Sequence, residues 1–374
     1  MTTRREFIGT GLASATGLAM GSAALGGVAN AATVHEPMLE QSIKGPGGKW
    51  QPKFRLGQGG APLGGSSGLS MSDGEALATL GNAWNAGIRF YDTSPWYGLG
   101  LSERRFGLAL HRKPRDSYVL STKVGRILTG DSDAPQAGWA NPDPFAYRYD
   151  YSASATRRSI EDSLQRLGLP YIDLVFIHDL SPDNGDMKTS YNQYLQEAIK
   201  GAMPELSKMR DEGLIKGWGM GVNTLPPILA ANEASDPDVH LAACQYTLMD
   251  HQESIEKLFP DCEKHGTTVV VGSPLNNGFL AGRDRYNYGP SIPNGFKQKR
   301  DRMIAIAQTH GVDLRTAALQ FCAAPKYVSS VIPGARAAHQ PAENVNSMSV
   351  KIPSGFWSQL RSESLIAENA PIPA

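Results

Sequence analysis

Four ionisable side chains that could carry proton chemistry follow three consecutive strand-like segments. Asp92 ends the first segment, and Tyr97 lies in the stretch that follows it. Lys123 ends the second segment and His178 ends the third. Taken singly, these residues could be a turn cap, a packed loop aromatic, a solvated charge and a buried core histidine. Because all four occur in order at successive strand ends, we predict that they form one site.

These groups together suit proton exchange with a carbonyl or an alcohol. A free phenol has a pKa of about 10, and a nearby ammonium group lowers that pKa by stabilising the phenolate. A buried Lys123 needs a carboxylate partner, which Asp92 can supply. A neutral His178 can hydrogen-bond to a substrate oxygen. The pattern contains no nucleophile–base pair and no metal cluster, so the redox step requires a separate hydride carrier.

The segments that carry these residues belong to an alternation of strands and helices that starts near residue 53. Eight strand–helix units favour an α/β fold, a (β/α)8 TIM barrel in a single domain, over a doubly wound sheet. In such a barrel the carboxyl ends of the strands meet at one mouth, where the chemistry is found. The predicted strands lie near 55–60, 88–92, 118–123, 171–178, 216–222, 240–246, 268–273 and 327–332. The predicted helices lie near 72–87, 102–112, 153–167, 191–213, 225–234, 252–265, 297–310 and 338–348, with additional helices at 313–323 and 354–367.

Composition excludes several classes of protein. Lys+Arg and Asp+Glu are both 36, and this zero net charge argues against a nucleic-acid binder. Hydrophobic residues make up 41% of the chain, which is enough for a large core. The three cysteines show no zinc-ligand spacing and are too few for a disulfide scaffold. We expect Cys244, Cys262 and Cys322 to be small apolar core residues.

The N-terminal segment differs from the rest of the chain. Arg4-Arg5-Glu6-Phe7-Ile8 precedes an uncharged Gly/Ala-rich run, and Ala29-Asn30-Ala31 has the form of a cleavage site. Paired arginines in this setting resemble a twin-arginine signal, and the run is too weakly apolar for a membrane anchor. We therefore predict a signal peptide over 1–32, a linker over 33–52 and the barrel over 53–374. The predicted location is the periplasm, reached through the twin-arginine export machinery.

Over nearly all of residues 53–350 the chain resembles the aldo/keto reductases. The motifs that carry the resemblance include Asp92-Thr-Ser-Pro-Trp-Tyr97-Gly98, Ser121-Thr-Lys123, Asp173-Leu-Val-Phe-Ile-His178, Ser273-Pro-Leu275 and Val331-Ile-Pro-Gly-Ala-Arg336. The resemblance implies a (β/α)8 barrel that uses NADP or NAD. It also implies that Tyr97 is the general acid/base, that Lys123 paired with Asp92 lowers the pKa of Tyr97, and that His178 orients the substrate oxygen.

The same resemblance implies positions for the cofactor. Asn223 and Gln245 match residues that bind the nicotinamide carboxamide, and Ser273 and Leu275 match the loop on the pyrophosphate side. The adenosine half is matched by Gly334, Ala335, Arg336, Gln340, Glu343 and Asn344. Arg336 could pair with a 2′-phosphate or be an ordinary surface arginine.

Two departures from the family pattern affect the cofactor. Gly272 stands where many members have an aromatic residue that stacks on the nicotinamide, which weakens the case for such stacking. Gln340 stands where many have a basic residue. The second departure leaves the choice between NAD and NADP open.

A narrower resemblance concerns the substrate. Gly219-Met-Gly-Val-Asn223 and His178-Asp179 look like the branch that contains D-threo-aldose (L-fucose) and L-galactose 1-dehydrogenases and pyridoxal 4-dehydrogenase. That likeness implies oxidation of an aldose at C1 to its lactone, with Tyr97 acting as a phenolate. Trp96, Trp139 and Tyr149 are candidate sugar contacts, because aromatic rings suit sugar C–H faces, although Trp139 could simply pack the long loop 124–152. The alternatives are a general aldehyde or ketone reductase and a redox sensor with little turnover.

Overall fold

Eight parallel strands form the central sheet of the protein. The computed structural model describes residues 40–289 and 291–373, so the predicted signal peptide and the start of the predicted linker lie outside the described residues. The strands of the sheet are β1 (Gln58–Gly59), β2 (Phe90–Asp92), β3 (Val119–Val124), β6 (Leu174–His178), β7 (Gly217–Val222), β8 (Val239–Ala243), β9 (Thr268–Gly272) and β10 (Val328–Ile332). They lie in the sheet in this order, from β1 to β10. The strands β4 (Arg126–Gly130) and β5 (Phe145–Tyr149) form a separate hairpin.

The sheet closes on itself, because the chain around β1 also pairs with the chain around β10. Parallel bridges join Leu56 to Val331 and Gly59 to Gly334. The backbone N–H of Gly57 donates to the carbonyl of Val331 at 2.9 Å. The (β/α)8 barrel predicted from the sequence is therefore confirmed.

Helices surround the barrel within the described residues. They are α1 (Asp73–Asn85), α2 (Leu101–Leu110), α3 (Ala153–Leu167), α4 (Tyr191–Lys200), α5 (Ala202–Asp211), α6 (Pro226–Ala234), α7 (Phe259–His265), α8 (Phe296–Thr309), α9 (Leu314–Ala323), α10 (Gln340–Ser349) and α11 (Ser354–Ser362). A π-helical turn, Ser254–Leu258, leads into α7. None of the helices in this part of the chain has the length and hydrophobicity needed to cross a membrane.

The amino-terminal end of the barrel is covered by a hairpin rather than by the linker that the sequence predicts for 33–52. The backbone N–H of Gln41 donates to Lys53, and that of Gly45 donates to Lys49, both at 2.8 Å. Trp50 packs against a cluster inside the barrel that includes Phe54. Burial of these two aromatic side chains gives residues 40–54 a reason to fold onto the barrel.

A second hairpin follows β3, where the sequence suggested only a long loop over 124–152. It consists of β4 (Arg126–Gly130) and β5 (Phe145–Tyr149), which pair in antiparallel register. Gly125 makes the sharp turn between β3 and β4 with φ of 109°. A side chain there would collide with the ring of Tyr151, so the turn requires glycine.

Candidate active site

The barrel brings the four predicted catalytic side chains together at its mouth. Asp92 and His178 are the last residues of their strands, and Lys123 is the penultimate residue of β3. Strand β3 lies between β2 and β6 in the sheet, so these three side chains start from adjacent strands. Tyr97 lies in the turn after β2. Gly64 packs so closely against the backbone of Tyr97 that a side chain at position 64 would not fit.

Lys123 and Asp92 form a buried ion pair. The Lys123 ammonium lies 2.9 and 2.8 Å from the two carboxylate oxygens and also donates to the carbonyl of Thr93 at 2.8 Å. Ser121 donates to the Asp92 carboxylate at 2.7 Å. The two charged side chains are only 1% and 2% exposed. The site therefore contains an almost dry, internally neutralised pair of charges.

Tyr97 lies over this pair, with the Lys123 ammonium 4.6 Å from the centre of its ring. Burial raises the pKa of Tyr97 well above its ordinary value, and the negative charges of Asp92 and Asp179 raise it further. This differs from the expectation that Lys123 lowers the pKa of Tyr97. The reason is that Asp92 offsets the lysine charge, while burial penalises the phenolate. The phenol of the protein without cofactor is accordingly protonated at neutral pH.

His178 faces Tyr97 across the mouth, with the two ring centres 5.6 Å apart. Its Nδ1 atom lies 3.0 Å from the hydroxyl of Ser94. Burial lowers the pKa of His178 well below its ordinary value, and the positive charges of Lys123 and Arg126 add to this effect. The imidazole is therefore neutral near pH 7, and a neutral imidazole carries one N–H that can donate a hydrogen bond to a substrate oxygen.

Two connected cavities open from these residues. The first, which we call the groove, has a volume of about 180 Å³ and runs from Asp92 and Tyr97 along the loops that follow β9 and β10. The second, which we call the mouth cavity, has a volume of about 790 Å³ and contains Tyr97, Lys123 and His178. Because Tyr97 lines both, a group bound in the groove and a molecule in the mouth cavity can meet at its hydroxyl.

The mouth cavity has aromatic and polar lining. The ring of Trp96 lies 5.7 Å from that of Trp139 and 4.8 Å from that of Tyr147. The polar lining comes from the segment after β6, with Asp179, Asp183, Asn184 and Asp186. Of the predicted substrate contacts, Trp96 and Trp139 line this cavity. Tyr149 does not, because its hydroxyl is held behind the lining by Arg126 and Asp186, each at 3.0 Å.

Comparison with known proteins identifies the family. The model of the aldo/keto reductase family matches residues 55–364, which include every strand of the barrel. The chain belongs to the aldo/keto reductase family. It is accordingly an NAD(P)-dependent oxidoreductase, and its cofactor is NADP or NAD.

Individual aldo/keto reductases support the same assignment. The chain is 37% identical over 322 residues to a D-threo-aldose 1-dehydrogenase from Pseudomonas sp., covering 83% of this chain and 94% of the relative. It is 36% identical over 329 residues to a pyridoxal 4-dehydrogenase from Microbacterium luteolum, with the same two coverages. An aldo-keto reductase from Bacillus halodurans, solved in its holo form, has the same fold, with a TM-score of 0.65 and 24% identity over 85% of this chain and 93% of that chain.

The groove has the chemistry that the phosphates of a dinucleotide require. Arg283, Arg285 and Arg336 line it, and none forms a salt bridge with any other residue in the described ranges. Burial lowers the pKa of Arg336 to about 10, and repulsion from the other two arginines contributes. Three guanidinium groups that line one groove, none of them paired with a carboxylate among the described residues, favour an anionic ligand. The residues present therefore fit the family's cofactor.

Most of the predicted cofactor residues lie at the groove. Ser273, Leu275, Gly334, Arg336, Gln340, Glu343 and Asn344 line it. Ala335 is buried and is not part of the lining. Gln340 holds the loop, because its side-chain oxygen accepts from the backbone N–H groups of Arg336 at 2.7 Å and Ala337 at 3.2 Å.

The predicted pair for the nicotinamide carboxamide lies beside the mouth cavity. Asn223 lines that cavity, and its side-chain amide lies 3.5 Å from the Asp183 carboxylate. Gln245 lines neither cavity but donates a hydrogen bond to the backbone carbonyl of Asn223. Gln245 is thus in a position to hold Asn223 in place.

Sequence reasoning missed several residues of the site. Arg126 lines the mouth cavity beside His178, and its place directly after β3 is the signal that could have found it. Tyr288 is 61% exposed, yet it lines both cavities. Arg283 and Arg285 come from the irregular segment after β9, where no pattern in the sequence distinguishes them from surface arginines.

Proposed function

We propose that the protein oxidises an aldose at C1 to its lactone, with NADP⁺ or NAD⁺ as the oxidant. The observation that carries the proposal is the combination in one mouth cavity of Tyr97 and His178 with aromatic and acidic lining. Aromatic rings suit the C–H faces of sugars, and carboxylate oxygens accept hydrogen bonds from sugar hydroxyls. Similarity to a D-threo-aldose 1-dehydrogenase supports the same substrate class.

The residues of the site divide the work of this reaction. Tyr97 removes the proton of the C1 hydroxyl as the carbon is oxidised. His178, neutral in the protein, donates a hydrogen bond to the same oxygen and holds it near Tyr97. The ion pair with Asp92 keeps Lys123 charged. The Tyr97 phenolate therefore has a cation 4.6 Å from the centre of its ring. The dinucleotide, when bound, accepts the hydride that no side chain can accept.

A second candidate is the reduction of an aldehyde or ketone by the same residues. It is favoured by the raised pKa of Tyr97, because a protonated phenol can donate the proton that carbonyl reduction requires. The two candidates use the same groups in opposite directions. They differ in pH dependence, since oxidation needs Tyr97 to lose its proton first.

The test is a substrate panel with purified protein. Aldoses and pyridoxal are offered with NAD⁺ and NADP⁺ at alkaline pH, aldehydes are offered with the reduced cofactors at neutral pH, and absorbance at 340 nm is followed. Tyr97→Phe should bind the dinucleotide normally and lose about 10²- to 10⁴-fold in turnover. Tyr91→Phe is the control, because it removes a buried tyrosine hydroxyl that donates to Ile88 and lines neither cavity. An aldose-inactive protein that reduces aldehydes would reject the first candidate, and equal activity of Tyr97→Phe and wild type would reject both.

We also propose that residues 1–32 direct export of the folded protein to the periplasm. A nicotinamide pool is not expected there, so the cofactor would be loaded in the cytoplasm and retained as a tight complex. Replacement of Arg4 and Arg5 by lysine should keep the protein in the cytoplasm. Periplasmic protein should release NAD(P) on denaturation, and protein isolated empty from that compartment would refute cofactor retention.

A further inference from the structure

Arg126 is a buried cation that contacts His178 from the β4–β5 hairpin. One terminal nitrogen of its guanidinium lies 3.4 Å from Nδ1 of His178. The other terminal nitrogen pairs with the Asp179 carboxylate at 3.0 Å and donates to the Tyr149 hydroxyl at 3.0 Å. The guanidinium also lies 4.3 Å from the centre of the Trp96 ring. These contacts hold Arg126 against one edge of the imidazole.

The groups around Nδ1 determine where the proton of the neutral imidazole lies. A guanidinium has donors and no acceptor, so Arg126 can only donate to Nδ1. The hydroxyl of Ser94 accepts from the backbone N–H of Trp96 at 3.1 Å, which leaves its own proton free to point at Nδ1. Nδ1 is therefore an acceptor, and the proton must be on Nε2.

We propose that Arg126 is a positioning residue that fixes His178 as the Nε2–H tautomer and keeps it uncharged. The Nε2 atom lies 3.5 Å from an oxygen of Asp179, on the carboxylate that Arg126 holds from its other side. Arg126 thus neutralises the carboxylate of Asp179, which lies close enough to favour a second proton on the imidazole. His178 is left with a single N–H to offer to a substrate oxygen.

The other charged groups around His178 also favour the neutral imidazole. Lys123 of β3 is a second cation and is paired with Asp92 of β2. Tyr97, from the turn after β2, is protonated and adds no charge. Asp179 is the only anion next to the ring among the described residues, and Arg126 is paired with it. Removal of Arg126 would leave that anion beside Nε2, which favours an imidazolium.

The test observes the tautomer directly. The full-length protein is labelled with ¹⁵N-histidine, and the His178 signals are identified by their loss in His178→Asn. The proposal requires a protonated Nε2 and an unprotonated Nδ1 on both sides of the ordinary histidine pKa of about 6.5. In Arg126→Met only the Ser94 hydroxyl remains at Nδ1, and a hydroxyl can accept as well as donate, so a mixture of tautomers and an upward shift of the titration midpoint are expected. Arg126→Lys, which retains a cationic donor, should restore much of the wild-type pattern.

Two further variants separate this role from a structural one. Arg148→Met removes an exposed arginine of the same hairpin, which pairs with Asp150, and should leave His178 unchanged. Ser94→Ala should also retain the Nε2–H tautomer, because Arg126 remains as the donor. A proton on Nδ1 in the wild type, or the wild-type pattern in Arg126→Met, would overturn the proposal.

The catalytic consequence rests on the proposed function, whereas the tautomer does not. In an active protein, Arg126→Met should lose kcat on the acid side of its pH profile, where His178 becomes charged, while dinucleotide affinity stays unchanged. A protein that turns over no substrate but has the predicted tautomer would contradict the proposed function alone. Equal loss of kcat at every pH would contradict the positioning role of Arg126.

Discussion

Breaking the Lys123–Asp92 pair from either side should have unequal consequences for stability. Lys123→Met leaves Asp92, which is 2% exposed, without its cation and with the Ser121 hydroxyl as its remaining side-chain partner. Loss of one partner of a buried pair costs about 3–5 kcal/mol. Asp92→Asn should cost less, because the asparagine side-chain oxygen can still accept from the Lys123 amine, whereas methionine offers Asp92 no donor. Burial already lowers the pKa of Lys123, and Asp92 makes the largest contribution in the opposite direction.

The pH dependence provides a second signature. In Asp92→Asn, loss of the carboxylate that raises the pKa of Lys123 leaves burial to lower it further, so Lys123 loses its proton more readily in the folded protein than in the unfolded chain, where its pKa is about 10.4. The unfolded state then binds more protons, so stability rises with pH, by about 1.4 kcal/mol per unit between the folded and unfolded pKa values.

The assay is urea unfolding of the two single variants and of Asp92→Asn/Lys123→Met at neutral and alkaline pH. The double variant should be more stable than Lys123→Met, since it contains no unpaired buried charge, and all three should lose turnover. Lys216→Met is the control. Lys216 pairs with the buried Asp173 at 2.6 Å, but the lysine side chain is half exposed. Arg115 also pairs with Asp173 at 2.6 Å. Lys216→Met should therefore lower the free energy of unfolding by at most about 1 kcal/mol. Additive costs in the double variant would refute the reasoning.

Three other predictions concern different parts of the molecule. The rate of oxidation should rise about tenfold per pH unit below the raised pKa of Tyr97, whereas the rate of reduction should not change through neutral pH. Identical pH profiles for the two directions in stopped-flow assays would exclude Tyr97 as the proton-transfer group. Gly125→Ala should lower the free energy of unfolding by about 3 kcal/mol, because a side chain at this left-handed position also collides with Tyr151. Gly213 has φ of 75° but open space around it, so Gly213→Ala should cost only the backbone strain, about 1 kcal/mol. Equal losses of stability in calorimetry would contradict this explanation. The three cysteines should resist thiol reagents until the protein unfolds, because all three are buried. Burial raises the pKa of Cys244 and Cys262 to about 12 and that of Cys322 above its usual range. Rapid labelling of the native protein would contradict this prediction.

The barrel and the candidate catalytic residues could be predicted from the local sequence pattern. Strands buried on both faces appear as continuous apolar runs, such as Leu174–His178, and all eight occur where predicted. The rule that chemistry lies at the carboxyl ends of the strands then selected Asp92, Lys123 and His178 without any knowledge of contacts. The same rule could have found Arg126, which lies two residues after the end of β3 and lines the mouth cavity.

Features that depend on distant contacts were not accessible in this way. The predicted helix over 191–213 is two helices, because Gly201 has a non-helical backbone (φ −121°, ψ −78°) and the N–H of Ala202 donates to the distant carbonyl of Tyr151 at 2.9 Å. The pairing of β4 with β5 spans a polar stretch that has no strand pattern of its own. The raised pKa of Tyr97 depends on burial and on Asp179, neither of which can be read from the order of residues.

Backbone strain at the mouth distinguishes the two ends of the barrel. Asp179, Cys244 and Ser273 each follow the last residue of a barrel strand, and all three have left-handed backbones, with φ of 47°, 64° and 51°. Such conformations cost non-glycine residues about 1–3 kcal/mol each. At the opposite end, the hairpin over 40–54 places its left-handed turn on Gly47 and Gly48, where glycine makes it inexpensive. The mouth therefore has side chains at positions where glycine would relieve backbone strain. This is expected if Asp179 and Ser273 contribute contacts within the site rather than stability to the barrel.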